Sequence, residues 1–98
     1  MKIMFICTGN ICRSAMAEWL LKKKAKEAKR DEIEVYSCGV YAEDGDISTY
    51  EAKKVMLDEY GIDMSEHRAT NIRNSKIKEM DVILCATINH KIAVLDLY

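Results

Sequence analysis

Proline is absent from this chain of 98 residues, so no turn is set by a proline ring and no Asp-Pro dipeptide occurs anywhere. Glycine occurs four times, and Phe and Trp once each. Neither sign of charge dominates: 15 Lys and Arg stand against 16 Asp and Glu, a formal net charge of −1. That balance offers no generic attraction to nucleic acid or to an acidic membrane. Long apolar runs are missing too. The strongest near the N-terminus, Ile3 to Ile6, is followed at once by Thr8-Gly9-Asn10 and is too short for a signal peptide or a membrane span. The expectation is a cytoplasmic protein with no nucleic-acid and no membrane partner. The four cysteines include no Cys-x-x-Cys pair, which argues against a zinc site and, without a secretory leader, against a disulfide framework. Thiol chemistry is the better use for them.

What is present describes an ordered, water-soluble chain: 49% apolar and 32% charged residues, enough for one small core but not two. A single domain over residues 1–98 is expected. Lys2 to Ile6 reads as a buried strand and Ser14 to Lys29 as a helix, with Ala17, Leu20, Leu21, Ala25 and Ala28 on its apolar side. The basic run Lys22, Lys23, Lys24, Lys26, Lys29 and Arg30 fills the rest and reads as a solvated helix face. Glu34 to Ser37 is a second strand. Ser48 and Glu51 form a capping-box signature for a second helix, with Ala52, Val55, Met56 and Tyr60 as its apolar face and Gly61 as its stop. Asp81 to Ala86 is a third strand, preceded by a short helical piece near residues 74–80 and followed by a helix from about Thr87. Strands alternating with helices imply a parallel sheet with helices on its faces.

The segment Cys7-Thr8-Gly9-Asn10-Ile11-Cys12-Arg13-Ser14 joins the first strand to the first helix. There the amides of a tight loop and the positive end of a helix converge, which is a place for an anion. Gly9 permits close backbone approach, and Asn10 tolerates left-handed geometry better than other non-glycine residues. The loop is therefore expected to curl its N–H groups inward as a nest. Arg13 brings a planar fork that pairs two phosphoryl oxygens at once. Cys7, at the strand end, aims a thiol into the same cradle, where the helix terminus, Arg13 and the Ser14 hydroxyl all favour the thiolate form. A phosphoryl group held there faces in-line attack by sulfur.

These residues resemble the signature of the low-molecular-weight protein tyrosine phosphatase family, Cys-x-Gly-Asn-x-Cys-Arg-Ser followed by Met16-Ala17-Glu18. The likeness extends over the chain through Ser37 and Gly39, Gly61-Ile62-Asp63, His67-Arg68-Ala69, Asp81 to Leu84 and His90-Lys91. The resemblance implies an α/β three-layer sandwich with a small parallel sheet of three strands here, the family's fourth strand missing, and helices on both faces. It implies a phosphomonoester hydrolase acting on phosphotyrosine-like proteins or aryl phosphates, with Cys7 forming a phosphocysteine and Arg13 binding phosphate and stabilising the transition state. Thr8, Gly9, Asn10, Ile11, Cys12, Arg13 and Ser14 would bind the phosphate. Tyr41, in the loop after the second strand, would wall the substrate, with core or surface packing as its alternative, and Tyr36, Tyr50 and Trp19 are further candidates. No metal and no organic cofactor is implied.

Cys12 is implied either as a reversible disulfide partner for Cys7 or as a small buried filler. Cys38 and Cys85 read as buried strand-end thiols. His67 and His90 lie outside the loop and read as structural or surface histidines. Ala15 stands where the family commonly has proline. Family members also run on to an Asp-Pro loop whose aspartate is the general acid, and no residue here matches it, so the general acid is unknown. Glu43, Asp44 and Asp46 read as solvated turn residues rather than substitutes. The alternatives are a phosphoarginine phosphatase, in which the position of Ile11 is typically threonine, an arsenate reductase, which needs more redox cysteines than this chain holds, and a phosphate-binding module without turnover. Without a fourth strand, Val82 to Leu84 lie near an open sheet edge, which predicts self-association or a completing segment elsewhere.

Overall fold

The structure, a computed structural model, describes residues 1–98. Its elements run β1 (Lys2–Cys7), α1 (Arg13–Glu27), β2 (Glu34–Gly39), α2 (Tyr50–Tyr60), two 3-10 turns (Ile72–Asn74 and Ile77–Glu79), β3 (Val82–Cys85) and α3 (Ile88–Leu97). β1 is the central strand of a three-stranded sheet in the order β2-β1-β3, parallel to both neighbours. The register sets Cys7 opposite Gly39 and Ile6 opposite both Cys38 and Cys85. Cys7 therefore ends the middle strand at its carboxyl edge, where open parallel sheets bind their ligands.

Alternation along the strands divides the side chains between two faces. Met4, Ile6 and Cys38 point to one face, where Ile72, Ile77 and Val94 close a buried cluster over them, so the 3-10 turns and α3 cover that side. On the other, Ser37 bonds to Glu18 of α1, and Ala15, Met56, Ile62 and Met64 form a second cluster that joins α2 to the outside of α1. Helices lie on both faces, as the alternation of strands and helices implied.

Element boundaries differ from expectation in instructive ways. α1 starts at Arg13, inside the loop motif, with Cys12 as N-cap and no side-chain capping bond. The cap of α2 is Thr49, whose Oγ1 accepts from the Ala52 amide at 3.1 Å, so Ser48 and Glu51 do not form a capping box. Thr49 is held there because its N–H already donates to Ile11 O at 2.9 Å, which leaves Ser48 buried with an unpartnered hydroxyl. Gly61 does stop α2, at φ 66°. Val55 and Tyr60 are exposed rather than packed, since α2 buries only Ala52 and Met56, and Ala28 lies exposed beyond the end of α1. The lysines of α1 are exposed as expected. The outer edge of β3 pairs with no strand, and Ile83 and Leu84 are exposed there.

Candidate active site

Because β1 ends at Cys7 and α1 begins at Arg13, five residues turn the chain through the loop. Asn10 makes the turn at φ 57°, a conformation its short polar side chain tolerates. The Asn10 N–H donates to Cys7 Sγ at 3.3 Å. The amides of Gly9, Ile11, Cys12, Arg13 and Ser14 donate to no protein acceptor. Unpaired donors clustered at a helix N-terminus are an anion nest in physical terms.

The side chain of Asn10 is completely buried, and its bonds fix which end is which. Oδ1 accepts from Thr70 N at 2.9 Å, while Nδ2 donates to Ser14 Oγ at 2.9 Å and Ser37 Oγ at 2.8 Å. Ser14 Oγ, already accepting, has one proton to give. Its neighbours are Cys7 Sγ at 2.8 Å and the Cys38 carbonyl at a marginal 3.5 Å, so when Cys7 is a thiolate, which can only accept, the proton goes to sulfur. Ser37 in turn donates to Glu18, which also accepts from Lys22. A directed chain of donors runs from Asn10 outward, ending on a thiol at one end and a carboxylate at the other. Both hydrogen bonds to Cys7 stabilise negative charge on sulfur.

The two histidines read as structural or surface residues are both buried and bonded to the loop. His67 is buried, with Nε2 at 2.8 Å from Asn10 O and Nδ1 accepting from Trp19 Nε1 at 3.0 Å. An indole N–H only donates and a carbonyl only accepts, so His67 is held as the Nε2–H tautomer. Its 4.0 Å approach to Glu18 is then no ion pair. His90, also buried, bonds through Nε2 to Thr8 Oγ1 at 2.8 Å and through Nδ1 to Thr87 Oγ1 at 3.1 Å. Sequence spacing did carry a signal for part of this network: Ser14 and Glu18, four apart in α1, share one helix face.

Arg13 is exposed and its guanidinium makes no ion pair or hydrogen bond within the chain. With Thr8, Val40, Tyr41, Thr87 and His90 it lines a cavity of about 380 Å³, within the size range of small-ligand sites. Tyr41 stands at the rim, 80% exposed. Of the other aromatic candidates, Tyr36 packs against the core, Tyr50 lines a separate depression on α2, and Trp19 packs on His67. Gly39 approaches the loop so closely that an added Cβ would lie 2.4 Å from Thr8 O. Thr8 O accepts from the Tyr41 amide and Cys7 O from that of Val40, so the loop after β2 is tied to the cradle. No carboxylate lines the cavity. Asp44 is instead spent on Asn71 N–H and Asn74 Nδ2. Cys38 is fully buried, which pushes its thiol up to about 12, and Cys85 is half-buried and also raised by burial. A larger cavity of about 500 Å³ lies between β3 and α3, but it is an apolar product of the open edge and lies apart from the loop.

A parallel α/β sheet whose central strand ends in a thiol, ringed by unpaired amides and a free arginine, defines a class of protein built to meet an anion with sulfur. The chain belongs to the low molecular weight phosphotyrosine protein phosphatase family, whose model matches residues 2–97. Among its relatives are a protein-arginine-phosphatase of Geobacillus stearothermophilus, 39% identical over 92% of this chain and 57% of that protein, and an arsenate reductase of Staphylococcus aureus, 41% identical over 84% of this chain and 56% of that protein. A crystal structure of a low molecular weight protein tyrosine phosphatase from T. tengcongensis superposes with a TM-score of 0.92 at 41% identity, covering 100% of this chain and 66% of that one. The chain thus spans a little over half the length of these curated relatives.

Proposed function

We propose that this chain is a phosphomonoester hydrolase of the tyrosine phosphatase type, taking phosphotyrosine-like protein or aryl phosphates and working through a phosphocysteine on Cys7. The observation that carries the reading is Cys7 Sγ, held by Ser14 Oγ and Asn10 N–H inside a ring of amides that have no partner of their own. The amides and the Arg13 fork receive the non-bridging oxygens, and Cys7 sulfur attacks phosphorus opposite the ester oxygen. The P–O bond breaks, the leaving oxygen takes the electron pair, and a P–S bond remains. Water then attacks phosphorus, the P–S bond breaks, and inorganic phosphate and the thiolate are released. Thr8, Gly9, Ile11 and Cys12 supply the rest of the cradle, and Tyr41 walls an aromatic substrate. The site calls for no metal or organic cofactor, and the chemistry suits a cytoplasmic protein.

With no carboxylate in the cavity, the leaving oxygen departs without a carboxylic acid to protonate it. General acid catalysis is worth about 10²- to 10⁴-fold, so p-nitrophenyl phosphate, whose phenolate leaves unaided, is expected to turn over while phenyl phosphate lags by a factor of that order. Equal rates for the two esters, or undiminished rates in Cys7→Ser, count against this reading. A phosphoarginine substrate is the second reading, favoured by the arginine phosphatase relative. Ile11 favours the tyrosine side. Self-association through the open β3 edge is part of the proposal, with Ile83 and Leu84 as the exposed apolar residues.

A further inference from the structure

His67 and His90 both touch the phosphate loop, but their partners differ in kind. His67 sits between a group that only donates and a group that only accepts, so a second proton would break a bond. His90 sits between two hydroxyls, Thr8 Oγ1 and Thr87 Oγ1. A hydroxyl donates or accepts by rotating, so His90 keeps both bonds whether neutral or charged. Thr87 Oγ1 also accepts from the His90 amide at 3.3 Å as the cap of α3, which fixes the ring against the helix start.

The ring lines the cavity beside Arg13. The charged and titratable groups lining the same cavity are the Arg13 guanidinium from α1 and the Tyr41 phenol from the loop after β2; Cys7 precedes Thr8 at the end of β1, and Lys91, the next residue on α3, lines the separate cavity against β3. We propose that His90 belongs to the anion site: as a dianionic phosphoryl group enters, the ring takes a proton from solvent, donates through Nε2 to Thr8 Oγ1, and so turns the Thr8 hydroxyl proton toward the anion. In the empty site, burial and then the charge of Arg13 hold the imidazole below its ordinary value. An anion that neutralises Arg13 removes the second cause and adds an attraction of its own. His90 acts through Thr8 and is a positioning residue.

This inference rests on the phosphoryl-binding reading above, and the test separates the two. The ring resonances of His67 and His90 are titrated by NMR in the full chain, with and without saturating sulfate, a dianion that does not itself titrate in this range. The expected result is an upward move of the His90 midpoint by about one to three units, with His67 unmoved. Sulfate that shifts the Gly9, Ile11 and Cys12 amides while leaving the His90 midpoint in place overturns this inference alone. Sulfate that shifts none of those amides overturns the anion-site reading and this inference with it. In His90→Gln, which keeps a hydrogen-bonding end but takes no proton, sulfate binding is expected to tighten less than in the wild type from about pH 7.5 to about pH 5.5, by about tenfold. An equal pH dependence in the two proteins refutes the proposal, and the wild-type titration decides alone if the variant fails to fold.

Discussion

Replacing Asn10 by alanine removes the residue on which the cradle's geometry depends most. Three buried side-chain bonds are lost, to Ser14 Oγ, Ser37 Oγ and from Thr70 N, at 2.8 to 2.9 Å. Each is worth about 1 kcal/mol net, and the Thr70 amide is left without its acceptor. Alanine at φ 57° adds about 1 kcal/mol of left-handed strain. Because the three bonds share one side chain, they do not add fully, and a loss of about 3 to 4 kcal/mol is expected. That is a large part of the roughly 5 to 15 kcal/mol available to a small fold. Urea unfolding followed by fluorescence measures it, because Trp19 is the only tryptophan and bonds to His67, which bonds in turn to Asn10 O. Asn10→Gly separates the two contributions: it loses the same bonds but not the strain, at an extra cost of about 0.4 to 1 kcal/mol in unfolded-state entropy, so it is expected to match or slightly exceed Asn10→Ala in stability. A loss below about 1 kcal/mol in Asn10→Ala, with unchanged urea slope, refutes the reasoning, since a single typical hydrogen bond would account for it.

Gly39→Ala places a Cβ 2.4 Å from Thr8 O and 2.9 Å from Asn10 N; an overpacking loss of about 1 to 3 kcal/mol is expected in the same urea assay, together with a fall in p-nitrophenyl phosphate turnover as the cradle is displaced. Cys38, with its thiol pushed up to about 12 by burial, is expected to escape iodoacetamide in the folded protein at mildly alkaline pH and to react only after unfolding, as read by peptide mass mapping. His90 holds fewer protons folded than unfolded below its ordinary value of 6.5, so its effect on stability is absent well above that value and becomes a loss as pH falls through it. Urea midpoints measured across this range are expected to fall less steeply in His90→Gln than in the wild type.

The three strands, the three helices and the loop were legible because each rests on local signals: a short apolar run, a helical period, a glycine stop at Gly61. The nest was legible for the same reason, since Gly9, Asn10 and Arg13 each carry their use in their chemistry. What failed depended on contacts from far along the chain. Ser48 and Thr49 are equally good caps by composition, and the choice between them is made by the bond from Thr49 N–H to Ile11 O, across the fold. Val55 and Tyr60 follow helical period, yet α2 packs on α1 along a strip only wide enough for Ala52 and Met56. His67 and His90 were read as structural or surface histidines, and the structural reading agrees with their burial; their tie to the loop was not legible, because sequence places them 57 and 82 residues from the loop atoms they bond. The closeness of Gly39 to Thr8 O likewise exists only once β2 lies beside β1 in register.

The central claim is that Cys7 carries the phosphoryl group during turnover. The most direct measurement is to mix the chain with p-nitrophenyl phosphate, quench in acid at short times, digest, and locate the phosphoryl label by mass spectrometry. The account predicts a label on the peptide containing Cys7 that appears with the first p-nitrophenolate and decays as phosphate is released, with neither label nor product in Cys7→Ala. Label on another residue, or p-nitrophenolate release that persists in Cys7→Ala, would contradict it.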